Sequence, residues 1–345
     1  MTWLICLCLV NMAIMNWVDE SWGEEPVIAP WFGNHDAAIS LRFDDAFDSH
    51  VRFVVPLLNQ YGFKATFMVN PGRSRYIKFR EFWEKELPRM GYHLGNHTMH
   101  HHGARSIEEA EYEIGEASRR IRKVAPDQGR LLVFAAGGGE KWGGRDWYTA
   151  FPEYRDLVRK HELIDLYDGN HPSRHVDSRD TAGQLCELVQ DAIRERKLQA
   201  FIFHGIGRPS VKDVVKFLLW GYHLTIDQSR FAQFVGCLDG ARSHIWVAPL
   251  AQVYKYEKEF KSAKIEIVEQ RRTLWKIRVR IGTDPRLYDQ QLTLIIPLGA
   301  GKRVSKVTQG AEPIQQCSAN GKRLLVDIRP IDSFVYIYFA SERNH

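Results

Sequence analysis

Residues 37–45 read AAISLRFDD, a short apolar run that ends in two aspartates. The apolar positions predict a buried β-strand over 37–43, and Asp44 and Asp45 follow at its carboxyl end. Two adjacent carboxylates in such a place are costly unless a cation or another partner neutralises them. Functional sites of parallel α/β folds lie at the carboxyl ends of the strands. The pair is therefore a candidate site, although most Asp-Asp pairs are solvated loop acids or helix caps.

Strands and helices alternate from Ala37 to about Ala263. Apolar runs predict strands over 37–43, 65–69, 92–94, 131–135, 198–203 and 245–247. Helical spacing predicts helices over 50–61, 78–90 and 106–124, the last opened by a capping box of Ser106 and Glu109. This alternation implies parallel pairing with right-handed crossovers. We expect an α/β fold, a (β/α) barrel that is complete or incomplete.

The pattern changes after Lys264 to strand-like runs without helical spacing. The runs cover 265–268, 274–281, 292–297, 304–308, 324–328 and 334–339, and Asn320 with Gly321 is a two-residue hairpin signal. We predict an all-β sandwich for this part of the chain. It would bind carbohydrate or brace the barrel, and bracing is our expectation because a fold alone does not give a function. The predicted units are an export signal over 1–23, the barrel over 24–262 and the sandwich over 263–345.

Composition excludes several classes of protein. Of 345 residues, 44% are hydrophobic and 26% charged, which is typical of a folded globular chain and not of disordered, collagen-like or multi-span membrane proteins. The 47 basic and 42 acidic residues leave a net charge of +5, which does not indicate a nucleic-acid partner. Five cysteines are too few for a disulfide scaffold.

The N-terminal residues 3–18 read WLICLCLVNMAIMNWV and carry no charge. Their length fits the core of an export signal and is slightly short for a membrane span. We expect a signal that ends near Gly23, and hence a secreted or periplasmic protein; an N-terminal anchor or a mis-assigned start are the alternatives. Cleavage would leave Cys186, Cys237 and Cys317, a number and spacing that indicate buried thiols or at most one bridge.

Histidines are concentrated in one segment, since five of the 14 lie between His93 and His102. His97 and His101 are four residues apart and would share a face on a helical turn, which suits two imidazoles on one divalent ion. Two histidines and one carboxylate leave positions open for water and substrate. A polar surface loop is the alternative, but the aspartate pair favours a metal site. His204 ends the strand predicted over 198–203, and its imidazole is suited to donating a proton.

Three motifs, in this order, resemble those of the polysaccharide deacetylases, carbohydrate esterase family 4 with the NodB-type fold. Residues 40–46, SLRFDDA, are similar to the family's T-F-D-D-G motif, and residues 61–69, YGFKATFMV, look like its second strand. Residues 95–101, GNHTMHH, match its H-[ST]-x-x-H motif, and residues 201–204, FIFH, resemble its L-x-L-x-H motif. The resemblance covers roughly 37–259 and implies a deformed (β/α) barrel that hydrolyses an amide or ester with the help of a metal.

The resemblance also assigns roles by motif position. Asp45, His97 and His101 would bind a divalent metal ion, with zinc the expected ion, while Asp44 would be the general base and His204 the general acid. Family members often have an aspartate that orients the acid histidine. Within 164–175, IDLYDGNHPSRH, we predict Asp168 for that part, and Asp165 is the other candidate.

One family motif is absent. The family commonly has R-x-P-[YF] on the strand after the helix that follows the metal histidines, and its arginine steadies the base carboxylate. Here residues 132–139 read LVFAAGGG, without arginine or proline. Residues i and i+2 of a strand share a face, so Arg42 is our candidate for orienting or electrostatically tuning Asp44. Pairing of Arg42 elsewhere in the barrel is an equal alternative.

These observations predict an exported, metal-dependent deacetylase acting on an acetylated polysaccharide or oligosaccharide, with N-acetyl groups favoured over O-acetyl groups. A glycan-binding pseudoenzyme, motivated by the missing arginine, and a hydrolase of a small linear or cyclic amide are the alternatives. An open cleft with exposed aromatic side chains would favour the polymer. Candidate aromatics for its mouth are Trp142, Trp147, Trp220 and Tyr222, although core packing is the commoner reason for any one of them. We expect no transmembrane segment beyond the N-terminal signal or anchor.

Overall fold

The structure is a computed structural model that describes residues 25–137, 139–167, 173–298, 302–314, 317–319 and 322–340. The predicted signal over 1–23, Asp168, the Asn320-Gly321 turn and the side chain of Trp220 lie outside the described residues.

The strands up to residue 247 form a first group that alternates with helices, and the strands from residue 264 onward form a second group after the last helix. The N-terminal strand is an exception that is described below. The strands are β1 (Val27–Ile28), β2 (Ala37–Asp44), β3 (Thr66–Val69), β4 (His93–Asn96), β5 (Leu132–Phe134), β6 (Lys141–Trp142), β7 (Arg145–Asp146), β8 (Leu163–Asp165), β9 (Ser173–His175), β10 (Leu198–Phe203), β11 (Gly205–Ile206), β12 (Thr225–Ile226), β13 (Ile245–Val247), β14 (Lys264–Gln270), β15 (Leu274–Arg280), β16 (Leu292–Pro297), β17 (Val304–Gln309), β18 (Glu312–Pro313), β19 (Cys317–Ala319), β20 (Arg323–Ile328) and β21 (Ser333–Phe339).

Helices connect the strands of the first group. They are α1 (Val55–Tyr61), α2 (Ser74–Lys78), α3 (Leu87–Arg89), α4 (Ile107–Glu111), α5 (Ala117–Val124), α6 (Pro152–Lys160), α7 (Ala182–Glu195), α8 (Val211–Trp220), α9 (Gln228–Gly240) and α10 (Leu250–Ser262). Wider π-helical turns over His50–Val54, Phe82–Glu86 and Tyr112–Glu116 lead into α1, α3 and α5. The Ser106 side chain accepts from the Glu109 backbone N–H and so caps α4 as the sequence predicts.

The central sheet has the strand order β8-β5-β4-β3-β2-β10-β9, and β13 pairs with the first half of β2. All of these pairs are parallel. Among the described residues, the edge strands β8 and β9 do not pair with each other, so the sheet is an open, deformed barrel. The predicted α/β fold is confirmed, and so are the six strands predicted for this part of the chain.

The two faces of β2 separate apolar from polar side chains. Phe43 stacks between Phe67 and Phe203 of the neighbouring strands, with ring centroids 5.1 and 5.3 Å away, in the core that the helices cover. Because side chains alternate along a strand, Arg42 and Asp44 point to the opposite face, where they are buried as well. These three stacked rings, the aromatic layer, therefore fix the register of β2 and the face on which Arg42 and Asp44 lie.

The C-terminal strands form two antiparallel sheets, which confirms the predicted sandwich. One sheet has the order β14-β15-β21-β17-β18 and the other β1-β16-β20-β19. Strand β1 was expected in the barrel unit, yet it pairs with β16. A two-residue run is too short to give a sequence signal for its partner.

Helix α10 connects the barrel to the sandwich. The hydroxyl of Tyr256 donates to the carbonyl of Ala29, just after β1, at 2.8 Å, and its ring lies 5.4 Å from that of Trp246 on β13. Apolar side chains of α10 and of both β sheets share one buried cluster with the barrel interior. The sandwich thus braces the base of the barrel.

Two further features bear on the environment of the protein. A disulfide joins Cys186 of α7 to Cys237 of α9, with the Cα atoms 6.1 Å apart. In the part of the chain that the structure describes, no helix combines the length and apolarity needed to cross a membrane.

Glu259 of α10 is a buried acid at the junction of the two units. One of its oxygens accepts from the Gln290 backbone N–H at 3.0 Å, while Oε2 is buried without a hydrogen-bond partner among the described residues. Burial raises the pKa of Glu259 to about 8, although the Gln290 bond opposes the shift. The folded state therefore holds a proton that an unfolded chain would release.

Because the pKa of Glu259 is raised in the folded chain, the stability of the protein depends on pH. The contribution of Glu259 is full below its ordinary pKa of 4.5 and is lost as the pH rises through about 8. We expect the free energy of unfolding to fall as the pH rises from about 4.5 to about 8. It should fall less in Glu259→Gln, by roughly 1–3 kcal/mol over that range. Denaturant titrations across this range measure it, with Glu187→Gln on the exposed face of α7 as control. Parallel pH curves for wild type and Glu259→Gln would refute the assignment.

Candidate active site

Three parallel strands deliver polar side chains to one edge of the sheet. Asp44 is the last residue of β2, and Asp45 follows it. His97 directly follows β4, and His204 directly follows β10. The structure brings these four side chains together, as expected for the carboxyl ends of parallel strands.

Arg42 and Asp44 form a buried, bidentate ion pair. Arg42 Nε donates to Asp44 Oδ1 at 2.7 Å, and a terminal nitrogen donates to Oδ2 at 2.6 Å. The side chains are only 2% and 3% exposed, and the Arg42 guanidinium also interacts electrostatically with the side chain of Tyr167. Burial alone would raise the pKa of Asp44, but the Arg42 guanidinium holds it well below the usual range. Asp44 is therefore an anion at neutral pH, and of the two pairings considered for Arg42 the structure shows the one with Asp44.

Asp45, His97 and His101 form a cluster with the geometry of a metal site. Asp45 Oδ1 lies 3.6 Å from His101 Nε2 and 3.9 Å from His97 Nε2. All three ligand atoms lie within 4.8 Å of one another. Oxygen and nitrogen donors that converge on one point suit a divalent ion such as zinc.

The other nitrogen of each imidazole is already engaged. His97 Nδ1 donates to the carbonyl of Ala135 at 2.8 Å, and His101 Nδ1 donates to Glu140 at 3.1 Å. A histidine that donates from Nδ1 carries its free lone pair on Nε2, which is the atom that faces the cluster. The donor set therefore fits a cation, and Glu140 is a supporting residue that sequence reasoning missed.

The loops that carry these ligands have strained backbone. Asp45, Thr98 and His101 have φ values of +73°, +66° and +59°, which non-glycine residues rarely adopt. Two buried amides hold the histidine loop in place: Asn70 donates to the carbonyl of Thr98 at 3.2 Å, and Asn96 accepts from the Thr98 backbone N–H at 2.8 Å. Such strain persists only where surrounding contacts over-determine it, and it concentrates at functional sites.

His204 is half-buried beside the carboxylates. Its carbonyl accepts from His50 Nε2 at 2.7 Å, and its ring lies 6.2 Å from that of His175 on β9. Nδ1 of His204 is buried without a hydrogen-bond partner among the described residues. Burial lowers the pKa of His204, against the opposing pull of Asp44 and Asp45.

The predicted orienting acid for His204 has no counterpart in the described contacts. Asp168 lies outside the described residues. Asp165, the other candidate, accepts from the indole N–H of Trp147 at 3.1 Å and pairs with Arg155 at 3.4 Å. Asp165 lies at the end of β8, where its carboxylate faces these two donors. Its contacts therefore brace the loop that follows β8.

Aromatic side chains near the site differ from the expectation. Trp142 and Trp147 are almost fully buried and contact each other in the core, so neither lines an open cleft. Tyr148 is instead 65% exposed and lies 5.1 Å, ring to ring, from Tyr167, which contacts Arg42. No pattern distinguished Tyr148 from its neighbouring tryptophan before the fold was known.

The Arg42–Asp44 pair gives a test of its geometry. In Arg42→Lys the charge stays but the two-pronged contact is lost, and we expect a loss of about 1–3 kcal/mol in the free energy of unfolding, since a buried carboxylate keeps an incomplete partner. Thermal and denaturant unfolding measure it. Arg119→Lys is the matched control, because Arg119 makes the same two-pronged contact with Glu116 on the surface and should be neutral. Equal losses in both variants would show that the buried pair contributes no more to the free energy of unfolding than the surface pair does.

Comparison with known proteins gives a family-model match and a distant relative. Residues 33–142, which contain Asp44, Asp45, His97 and His101, match the family model described as polysaccharide deacetylase. A gellan lyase of a Bacillus species is 22% identical over 92% of this chain, and the match spans 13% of the length of that protein.

Comparison with solved structures also gives matches at low identity. The Xyl-CE4 domain of a multidomain xylanase, from the hindgut metagenome of Trinervitermes trinervoides, is 15% identical with a TM-score of 0.38, over 64% of this chain and 90% of that one. The peptidoglycan deacetylase PdaC from Bacillus subtilis is 16% identical with a TM-score of 0.37, over 66% and 95%. A CE4 family pseudoenzyme from Bacillus anthracis is 13% identical with a TM-score of 0.33, over 57% and 66%. The family-model match over residues 33–142 contains both histidines of the cluster and the aspartate pair.

Proposed function

We propose that the protein is a metal-dependent hydrolase that removes acetyl groups from a glycan. One observation carries this proposal: two groups of side chains lie together at one edge of the sheet. They are the cluster of Asp45, His97 and His101, and the carboxylate of Asp44 that pairs with Arg42. Asp44 Oδ2 lies 4.0 Å from His97 Nε2, so the base candidate borders the metal cluster directly. The match of residues 33–142 to the polysaccharide deacetylase family model supports the same reaction class.

A divalent ion held by the three ligands would act as a Lewis acid towards water and towards the acyl carbonyl. We propose zinc, because two imidazoles and a carboxylate are a common zinc set with open positions. The chain prepares the ligands itself: Ala135 and Glu140 fix the ring orientations of His97 and His101.

Asp44 is proposed to take the proton of the attacking water. A carboxylate with a low pKa is a weak base in bulk water, but proximity and a desolvated site make up for that weakness. Each Asp44 oxygen uses one lone pair for Arg42 and retains another. Arg42 therefore orients the carboxylate without blocking it.

His204 is proposed to protonate the departing group. A half-buried imidazole with a lowered pKa gives up a proton readily once it has been protonated. An amine leaves an amide only as a protonated species, so a dedicated acid matters more for N-acetyl than for O-acetyl substrates. This reasoning supports the N-acetyl preference.

A polymeric glycan is proposed as the substrate, with the small-amide hydrolase as the alternative. The largely exposed Tyr148, which contacts the Tyr167–Arg42 pair, offers a ring on which a sugar could stack. The pseudoenzyme alternative was motivated by the missing motif arginine, and Arg42 now occupies the place beside Asp44 that the motif arginine would serve.

We propose that the protein works outside the cytoplasm. The apolar segment at residues 3–18 supports this, and so does the Cys186–Cys237 disulfide, because such bridges persist in oxidising compartments.

The central test couples metal analysis to acetate release. Wild type should bind zinc and release acetate from N-acetylated oligosaccharides faster than from O-acetylated xylan. Asp44→Asn should keep the metal and lose activity by roughly 10²–10⁴-fold, and His97→Gln should lose activity together with the metal of the Asp45–His97–His101 cluster. Asp48→Asn, an exposed acid on the same loop, is the matched control. Zinc binding without acetate release from any glycan would point to the pseudoenzyme or the small-amide hydrolase, and no metal binding would remove the basis of the site.

Glu140 provides a second test. Glu140→Gln leaves the ligands in place but weakens the contact that orients His101, so zinc affinity should fall about 10–100-fold. Competition with a chelating dye measures this affinity, and Glu153→Gln on the exposed start of α6 is the control. Unchanged affinity in Glu140→Gln would mean that this carboxylate does not support the site.

A further inference from the structure

A second group of potential ligands lies behind the first. His100, His102 and Glu113 each offer one atom, and these atoms lie within 4.8 Å of one another. His100 Nδ1 donates to Glu113 Oε1 at 2.6 Å, and His102 Nε2 lies 3.5 Å from the same oxygen. Two imidazoles thus aim a ring nitrogen at one carboxylate oxygen.

Glu113 is a buried carboxylate without a permanent countercharge. It is 1% exposed, and in the described part of the chain no lysine or arginine lies within ion-pair distance of it. A buried carboxylate is costly unless a cation or hydrogen bonds neutralise it. A cation bound by the two imidazoles that face it would supply this countercharge.

The chain holds this arrangement firmly. The second oxygen of Glu113 accepts from the His100 backbone N–H at 2.8 Å, and the carbonyl of Glu113 accepts from the Met99 backbone N–H at 3.0 Å. The ring of His100 lies over residue 72, where a Cβ would overlap Nε2, so the ring fits there because residue 72 is glycine. His102 is half exposed, which leaves a path from solvent.

We propose that His100, His102 and Glu113 bind a second divalent metal ion, of the class that imidazole nitrogen and carboxylate oxygen select, such as zinc. This site shares no ligand with the cluster of Asp45, His97 and His101. His101, between the two new ligands in sequence, turns away to Asp45 and Glu140. The positive φ of His101 makes that reversal possible.

A metal in this position would clamp the loop that carries His97 and His101. Residues 100 and 102 would be tied to the helical segment of Glu113, while residues 97 and 101 hold the first cluster. The second ion would therefore be a structural ion that stabilises the ligand loop, independent of which reaction the first cluster performs.

Zinc stoichiometry tests the proposal on the full chain. Titration with zinc alone, followed by removal of loose metal and elemental analysis, should give two ions per wild-type chain. His102→Gln should retain one ion, and His97→Gln should also retain one, held by the second site. His244→Gln, an exposed histidine far from both clusters, is the control and should keep two.

The outcomes separate this proposal from the proposed function. One ion in both wild type and His102→Gln would overturn the second site and leave the first intact. Two ions in both would show that the second ion binds elsewhere, which also overturns it. No ion in His97→Gln would do the same. If Glu113→Gln folds, as circular dichroism would show, it should match His102→Gln; a count of two in a folded Glu113→Gln would contradict the ligand assignment.

Discussion

The buried ion pair of Arg42 and Asp44 is the constraint on which the rest of the site depends. Two charges removed from water are tolerable only with good geometry, and removing one partner of such a pair typically costs 3–5 kcal/mol. Here the geometry comes from strand alternation, which puts residues 42 and 44 on one face, while Phe43 is held from the other face by Phe67 and Phe203. A shift of one residue in β2 would place both charges among these rings, so the aromatic layer and the ion pair select the same register.

The metal cluster depends on that register as well. Asp45 follows Asp44 in left-handed backbone, which turns its carboxylate from the strand towards His97 and His101. The histidine loop meets it because β3 lies between β2 and β4, and because Asn70 and Asn96 hold the strained residue Thr98. Each ligand is thus positioned by a strand end and supported by a buried polar contact, which is the arrangement that a preformed metal site needs.

Sequence patterns were sufficient for the fold and for the strand-end side chains, because both follow from local periodicity. The run over 37–45 gives a strand and its acidic end, and the alternation up to residue 263 gives parallel pairing. Glu140, Tyr167 and Glu113 were not found, because their contacts join loops and helices whose approach depends on the whole fold. The pairing of β1 with β16 escaped for the same reason. Asp165 shows the opposite case. Its residue type and sequence position suit an acid that orients His204, but its carboxylate binds nearer donors on Trp147 and Arg155.

The guanidinium beside Asp44 comes from β2 and not from the segment that follows β5. Ala135 and Ala136 are fully buried, and the Ala135 carbonyl already receives the His97 N–H. A Cβ at Gly137 would lie 2.7 Å from His101 Nε2, so the chain passes directly against a metal ligand there. Residues 135–137 pack closely around His97 and His101, whereas Arg42 reaches the carboxylate of Asp44 from within its own strand.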